Sequence, residues 1–139
     1  MRAILAVCLV AATCAPAARA AERTPAVDYA LHCQGCHLAN GGATLGRVPA
    51  LAGSLARFTR IPGGRAYLVR VPGVAQAPLD DDALAALLNW VLGRFASGGV
   101  APGFLPYGAE EVGRLRRLPL LDVEAERRRL MGEGPAERP

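Results

Sequence analysis

Two cysteines and a histidine lie close together in the segment Cys33-Gln34-Gly35-Cys36-His37. Thiols at this spacing can each add to one vinyl group of a single haem, and the adjacent histidine then lies under the iron. Gly35 leaves room for the porphyrin to approach the backbone. The C-x-x-C-H segment therefore predicts one haem c bound covalently through Cys33 and Cys36, with His37 as the proximal axial ligand of the iron.

Other chemistries use the same side chains. A structural zinc ion needs four ligands, and His32 is the only further candidate beside the segment, so a few consecutive residues would have to surround the metal. A thioredoxin-like redox pair requires a strand–helix–strand context, which the pattern of this chain does not provide. Zinc binding, dithiol chemistry and a chance match of the motif are therefore the less favoured alternatives.

The first twenty residues have the features of a secretory signal. A short positive start precedes an apolar run at 4–12, and a small-x-small cleavage site follows at 18–20. Cleavage after Ala20 removes Cys8 and Cys14, so the exported chain would keep only the two cysteines of the motif. A buried N-terminal helix and a lipoprotein acylated at Cys14 are the alternatives. We expect a periplasmic or secreted protein.

Composition excludes several classes of protein. The chain has 139 residues, of which 52% are hydrophobic and 20% charged, so it is long enough for one folded domain and is not disordered. All sixteen basic residues are arginine, and a formal net charge of +4 is too small to indicate nucleic-acid binding. No apolar run reaches the ~18 residues that a membrane-spanning helix needs.

Hydrophobic periodicity predicts an all-α fold that positions the motif. Apolar residues follow the i, i+3, i+4 rule over 80–96, where an aspartate run supplies the N-cap. Two short helices are predicted within 54–72, separated by a Pro-Gly-Gly break at 62–64. Two more helices are predicted at 109–118 and 122–131, after a linker rich in proline and glycine.

These patterns divide the chain into three predicted parts. They are a signal peptide at 1–20, a helical domain around the haem at 21–98, and a linker with a helical C-terminal extension at 99–139. We expect the extension to pack on the surface of the domain, and an arm that docks a partner is the alternative.

Features on both sides of the motif match a known family. Tyr29 lies four residues before Cys33, a glycine turn follows at 40–42, and Val48-Pro49-Ala50-Leu51-Ala52-Gly53 has the form P-x-L-x-G. Over residues 26–96 the chain resembles the small bacterial class I c-type cytochromes. The resemblance implies a bundle of short helices around one haem.

The resemblance also implies roles for two residues beside the haem. In the family, the loop proline's carbonyl accepts a hydrogen bond from the proximal histidine, which here would join Pro49 to His37 Nδ1. The last helix crosses the first beside the haem edge, and Trp90 is placed for that crossing against Tyr29. Plain loop and core roles for Pro49 and Trp90 are the alternatives.

The family's second iron ligand has no counterpart in this sequence. Class I cytochromes usually offer a methionine ahead of the last helix, but here that region reads Val74-Ala75-Gln76-Ala77-Pro78. Met131 is the only methionine beyond the signal, and His32 should lie on the attachment side because it adjoins Cys33. Three hypotheses remain: a five-coordinate or water-bound iron, a loop group such as Gln76 near the iron, or a ligand from Met131 or a partner.

Charge suggests the kind of partner. Between residues 29 and 79 the chain has five arginines and no acidic residue; they are Arg47, Arg57, Arg60, Arg65 and Arg70. Such a basic rim around a haem edge would attract a redox partner with an acidic surface. The alternative is that some of these arginines pair with the haem propionates and the rest are solvated.

The sequence as a whole predicts an exported one-electron carrier between periplasmic redox partners. We do not expect an enzyme, since no distal histidine is left to act as an acid or a base. The alternatives are a haem-based gas-binding or sensor protein with an open sixth site, and the cytochrome subunit of a periplasmic dehydrogenase.

Overall fold

Short helices make up the fold. The computed structural model describes residues 23–44, 46 and 48–133, so the predicted signal peptide lies outside the described residues. Within them the chain forms seven helices and no strand. These are α1 (Pro25–His32), α2 (Leu55–Phe58), α3 (Gly64–Arg70), α4 (Pro72–Ala75), α5 (Asp81–Phe95), α6 (Ala109–Arg116) and α7 (Val123–Met131). The all-α prediction is confirmed, and none of these helices is long and apolar enough to cross a membrane.

Capping residues explain where three of the helices begin. The side chains of Thr24, Asp80 and Asp122 each accept a hydrogen bond from a backbone N–H in the first turn of α1, α5 and α7. The break predicted within 54–72 separates α2 from α3, and Gly63 takes the left-handed φ of 81° that precedes α3.

The core is centred on the crossing of α1 and α5. The ring of Tyr29 lies 5.4 Å from that of Trp90 and 5.2 Å from that of Phe95, measured between centroids. Gly41, at a φ of 76°, packs so closely that a Cβ there would lie 2.5 Å from the Phe95 ring. The Tyr29 hydroxyl donates to the carbonyl of Leu38, 2.8 Å away, and thereby ties the residues after the motif to α1.

The C-terminal extension is held against this core by arginines. Four core arginines donate hydrogen bonds to its main-chain carbonyls: Arg57 to Met131, Arg60 to Gly99, Arg65 to Leu105 and Pro106, and Arg70 to Leu118. The extension therefore packs on the domain along its described length. These side chains belong to the predicted basic rim, and the structure shows them holding the protein's own extension.

Arg65 makes the most extensive of these contacts. Its guanidinium lies 4.6 Å from the ring centroid of Phe104 and 4.2 Å from that of Tyr107. It also forms a two-point ion pair with Glu111 of α6, which raises the pKa of the arginine. A cation that contacts two aromatic rings and pairs with a carboxylate fixes the start of the extension on α3.

Candidate functional site

A cavity of about 770 Å³ lies beside the C-x-x-C-H segment. Cys33, Cys36 and His37 all line it. Apolar side chains from α2, α3 and α5 form much of the remaining wall: Leu55, Phe58, Leu68, Leu88, Val91 and Leu92. A large, mainly apolar cavity with two thiols and an imidazole in its wall fits an apolar macrocycle that is attached covalently and ligated through its iron.

The surroundings of the two thiols do not favour redox exchange. Both are free and half-buried. Burial, with smaller contributions from the charges of Asp28 and Cys36, raises the pKa of Cys33 to about 11. Dithiol oxidoreductases depend on a lowered thiol pKa, so this environment opposes a thioredoxin-like reaction. Among the described residues there is no group of three or more cysteine, histidine or acidic side chains arranged to hold a metal ion.

Burial favours the uncharged form of His37. Burial lowers its pKa, because the charged imidazolium is disfavoured away from water, so the ring is neutral at physiological pH. Its Nδ1 is buried and has no hydrogen-bond partner among the residues that the structure describes. The hydrogen bond predicted from His37 to the Pro49 carbonyl is thus not formed, although Pro49 does lie in the cavity wall.

The other residues predicted near the haem lie elsewhere. Trp90 lies against Tyr29 at the crossing of α1 and α5, which is the contact expected for it, but it is not part of the cavity wall. Gln76 is exposed and also lies outside the wall. Met131 is 8% exposed, but it packs with the hydrophobic core and does not line the cavity. The structure therefore brings Cys33, Cys36, His37 and Pro49 together in the cavity wall. Trp90, Gln76 and Met131 lie outside that wall.

Helix α7 contributes residues that the sequence did not point to. Val123, Glu124, Arg127 and Arg128 line the cavity together with Glu133 beyond the helix end. The only available signal was weak: α7 carries three consecutive arginines, in a segment that could equally have been a solvated tail. Two arginines in the wall can pair with anionic groups of a bound molecule, such as the propionates of haem.

Arg127 also approaches an aromatic pair in the cavity wall. The rings of Phe58 and Tyr67 are stacked with centroids 4.6 Å apart, and Arg127 lies 5.2 Å from the centroid of Phe58. Burial raises the pKa of the Tyr67 hydroxyl, and a hydrogen bond from Arg127 opposes this rise. The wall at this point therefore combines a hydroxyl and a cation within an otherwise apolar surface.

Comparison with known proteins finds two similar sequences. Both are named cytochrome c-552 and come from Thermus thermophilus. Each is 36% identical over 118 residues, and the match covers 70% of this chain and 90% or 80% of the relative. The match is longer in the relatives than in this chain, so the relatives contain residues that have no counterpart here. No protein-family model matches the chain.

Proposed function

The chain belongs to the family of small c-type cytochromes, and we propose from this premise that it is an exported one-electron carrier between periplasmic redox proteins. The protein carries one haem c. The observation that supports the carrier function most directly is the cavity wall, where Cys33, Cys36 and His37 meet beside apolar side chains. When bound, haem supplies an iron centre that exchanges single electrons.

The chain's own residues would hold and tune that centre. Cys33 and Cys36 would bind the macrocycle covalently, and neutral His37 would bind the iron. The apolar wall excludes water and disfavours the additional charge of the ferric state, which raises the reduction potential. Arg128, half-buried in the wall and 3.7 Å from Glu124, would pair with a haem propionate.

The partner that we propose has an acidic surface. Arg57 and Arg60 are exposed although each donates to the extension. They lie on or just after α2, and two other residues of α2, Leu55 and Phe58, line the cavity. Positive charge is thus displayed close to the haem, where it would accelerate the encounter with an acidic protein.

Covalent attachment through the two cysteines provides the test of this function. The protein is expressed with its signal in a host that has a cytochrome c maturation system, and is then denatured, separated by electrophoresis and stained for haem. We expect wild type to stain and its mass to exceed that of the exported polypeptide by one haem. The double variant Cys33→Ala/Cys36→Ala should not stain, whereas Arg114→Gln, altered at an exposed side chain, should match wild type. A wild-type mass equal to the bare polypeptide would refute the proposal.

A further inference from the structure

We propose that this cytochrome binds a small exogenous ligand at the second axial position of its iron, in a site whose hydrogen-bond donors are Tyr67 and Arg127. The inference rests on the proposed haem attachment and adds a binding activity to electron transfer. The ligands in question are small iron ligands with a hydrogen-bond acceptor at the free end, such as carbon monoxide, nitric oxide, cyanide and azide.

Among the described residues, no methionine lines the cavity, and the histidines that do are His32 and His37 of the attachment segment. The sequence has two histidines, two methionines and no lysine. His37 is committed to the proximal side, and His32 also lines the cavity but is tethered to the attachment segment through Cys33. Met131 is buried in the hydrophobic core and does not line the cavity.

The segment that could have carried a ligand is short and fixed. Helix α4 ends at Ala75 and α5 begins at Asp81, so only residues 76–80 connect them. Arg116 donates to the carbonyls of Ala75, Ala77 and Leu79 at 3.0, 2.5 and 2.7 Å, and pairs with Asp81 at 3.1 Å.

This anchoring explains the position of Gln76. The carbonyls on either side of Gln76 are both bound by Arg116, and its own side chain is exposed outside the cavity. The connection is therefore held against α6.

The donors are in the cavity wall. Tyr67 is 5% exposed, and its ring is held by stacking on Phe58. Arg127 lines the same wall, and its guanidinium lies 5.2 Å from the centroid of the Phe58 ring on which Tyr67 stacks, so a hydroxyl and a cation line the cavity side by side. Tyr107 lines the cavity as well, but its hydroxyl already donates to the Arg65 carbonyl at 2.9 Å. Tyr67 with Arg127 is thus the pair able to bind the free end of an iron ligand.

Optical titration of the haem-loaded protein tests this inference. Ferrous protein is titrated with carbon monoxide, and ferric protein with azide. We expect both to bind and to shift the main haem absorption band. Tyr67→Phe and Arg127→Gln should each weaken azide binding about tenfold, equivalent to about 1.4 kcal/mol, and weaken carbon monoxide binding less, because a neutral ligand gains less from a charged donor. Arg127→Lys should recover part of the loss, and Arg114→Gln should match wild type.

Several results would overturn the inference. One is wild-type protein that stains for haem but binds neither ligand. A second is a near-infrared band of methionine–haem ligation that Met131→Ala removes, and a third is ligand binding that appears only in His32→Gln. Unchanged azide affinity in both Tyr67→Phe and Arg127→Gln would also refute the assignment of these residues as donors. An equal loss of affinity for azide and for carbon monoxide would refute it as well. Absence of haem staining would instead refute the proposed function, so the two failures are distinguishable.

Discussion

Replacement of Arg116 by alanine should destabilise the protein by about 3 kcal/mol. The side chain is 16% exposed and joins α6 of the extension to the connection between α4 and α5. Its three carbonyl acceptors belong to Ala75, Ala77 and Leu79, which are 7%, 8% and 8% exposed. Truncation would remove the guanidinium donor from all three buried carbonyls, and only that of Ala77 has a further donor among the backbone contacts outside the helices, the N–H of Leu79 at 2.8 Å.

The magnitude follows from those carbonyls. A buried polar group that loses its partner costs about 1–3 kcal/mol, and we take the lower end for each, since water can enter the space that the side chain vacates. The ion pair with Asp81 adds little, because Asp81 is 41% exposed and solvent screens the pair. About 3 kcal/mol is a large part of the 5–15 kcal/mol that stabilises a typical domain, and corresponds to a fall in Tm of about 10 °C.

Urea unfolding of the haem-loaded protein, followed by far-ultraviolet circular dichroism, measures this change. Arg114→Ala is the matched control: it lies on the same helix but is 63% exposed and pairs only with Glu110, so it should cost a few tenths of a kcal/mol. Arg116→Lys keeps the charge but cannot reach three carbonyls, and should lie between the two. If Arg116→Ala loses no more stability than Arg114→Ala, the anchoring role of Arg116 is refuted.

Three further outcomes are expected. Gly41→Ala should lower the free energy of unfolding by about 2 kcal/mol, because the new Cβ would strike the Phe95 ring at a left-handed φ, whereas Gly108→Ala, with open space around it, should change little. Burial raises the pKa of Tyr107 above its ordinary 10.0, so the unfolded chain ionises first, and stability should fall as the pH rises through 10; Tyr107→Phe should flatten that part of the profile. The rate of electron transfer with an acidic partner, measured by stopped flow, should fall as ionic strength rises. The distance over which exposed charges attract each other decreases with added salt, to ~8 Å at 0.15 M.

Each of these outcomes has a result that would contradict it. Equal stability of the Gly41 and Gly108 variants would mean that the close packing on Phe95 is readily relieved. A pH profile above 10 that Tyr107→Phe leaves unchanged would assign alkaline destabilisation to other groups. Electron transfer that is indifferent to salt would remove the support for an acidic partner, and reduction by an uncharged small molecule provides the control.

The attachment site could be predicted because its signal is local. Cys33, Cys36 and His37 lie within one short segment, so their spacing alone specifies the chemistry that they share. The helix from Asp81 was predictable for a similar reason, since its cap at Asp80 and its apolar periodicity are both read within one window.

The arginine contacts with the extension were not predictable. Arg57 binds the carbonyl of Met131, 74 residues away, and Arg116 binds that of Leu79, 37 residues away. Every residue has a carbonyl, so the sequence contains nothing that marks these acceptors. The position of Arg127 was not predictable for the same reason. In the sequence it belongs to a run of charged residues that is typical of a solvated helix, and only the fold shows that it lines the cavity.

The C-terminal extension is held against the domain through its main-chain carbonyls, and this affects which residues of the sequence can vary. The donors Arg57, Arg60 and Arg70 recognise the path of the extension and not its side chains. Residues of the extension can therefore be exchanged without losing these bonds, provided that the backbone keeps its course, whereas replacing a donor removes the bond that it makes. A lysine would offer a single rotating point charge and would lose its proton in strong alkali, but a guanidinium stays charged and presents a rigid fork.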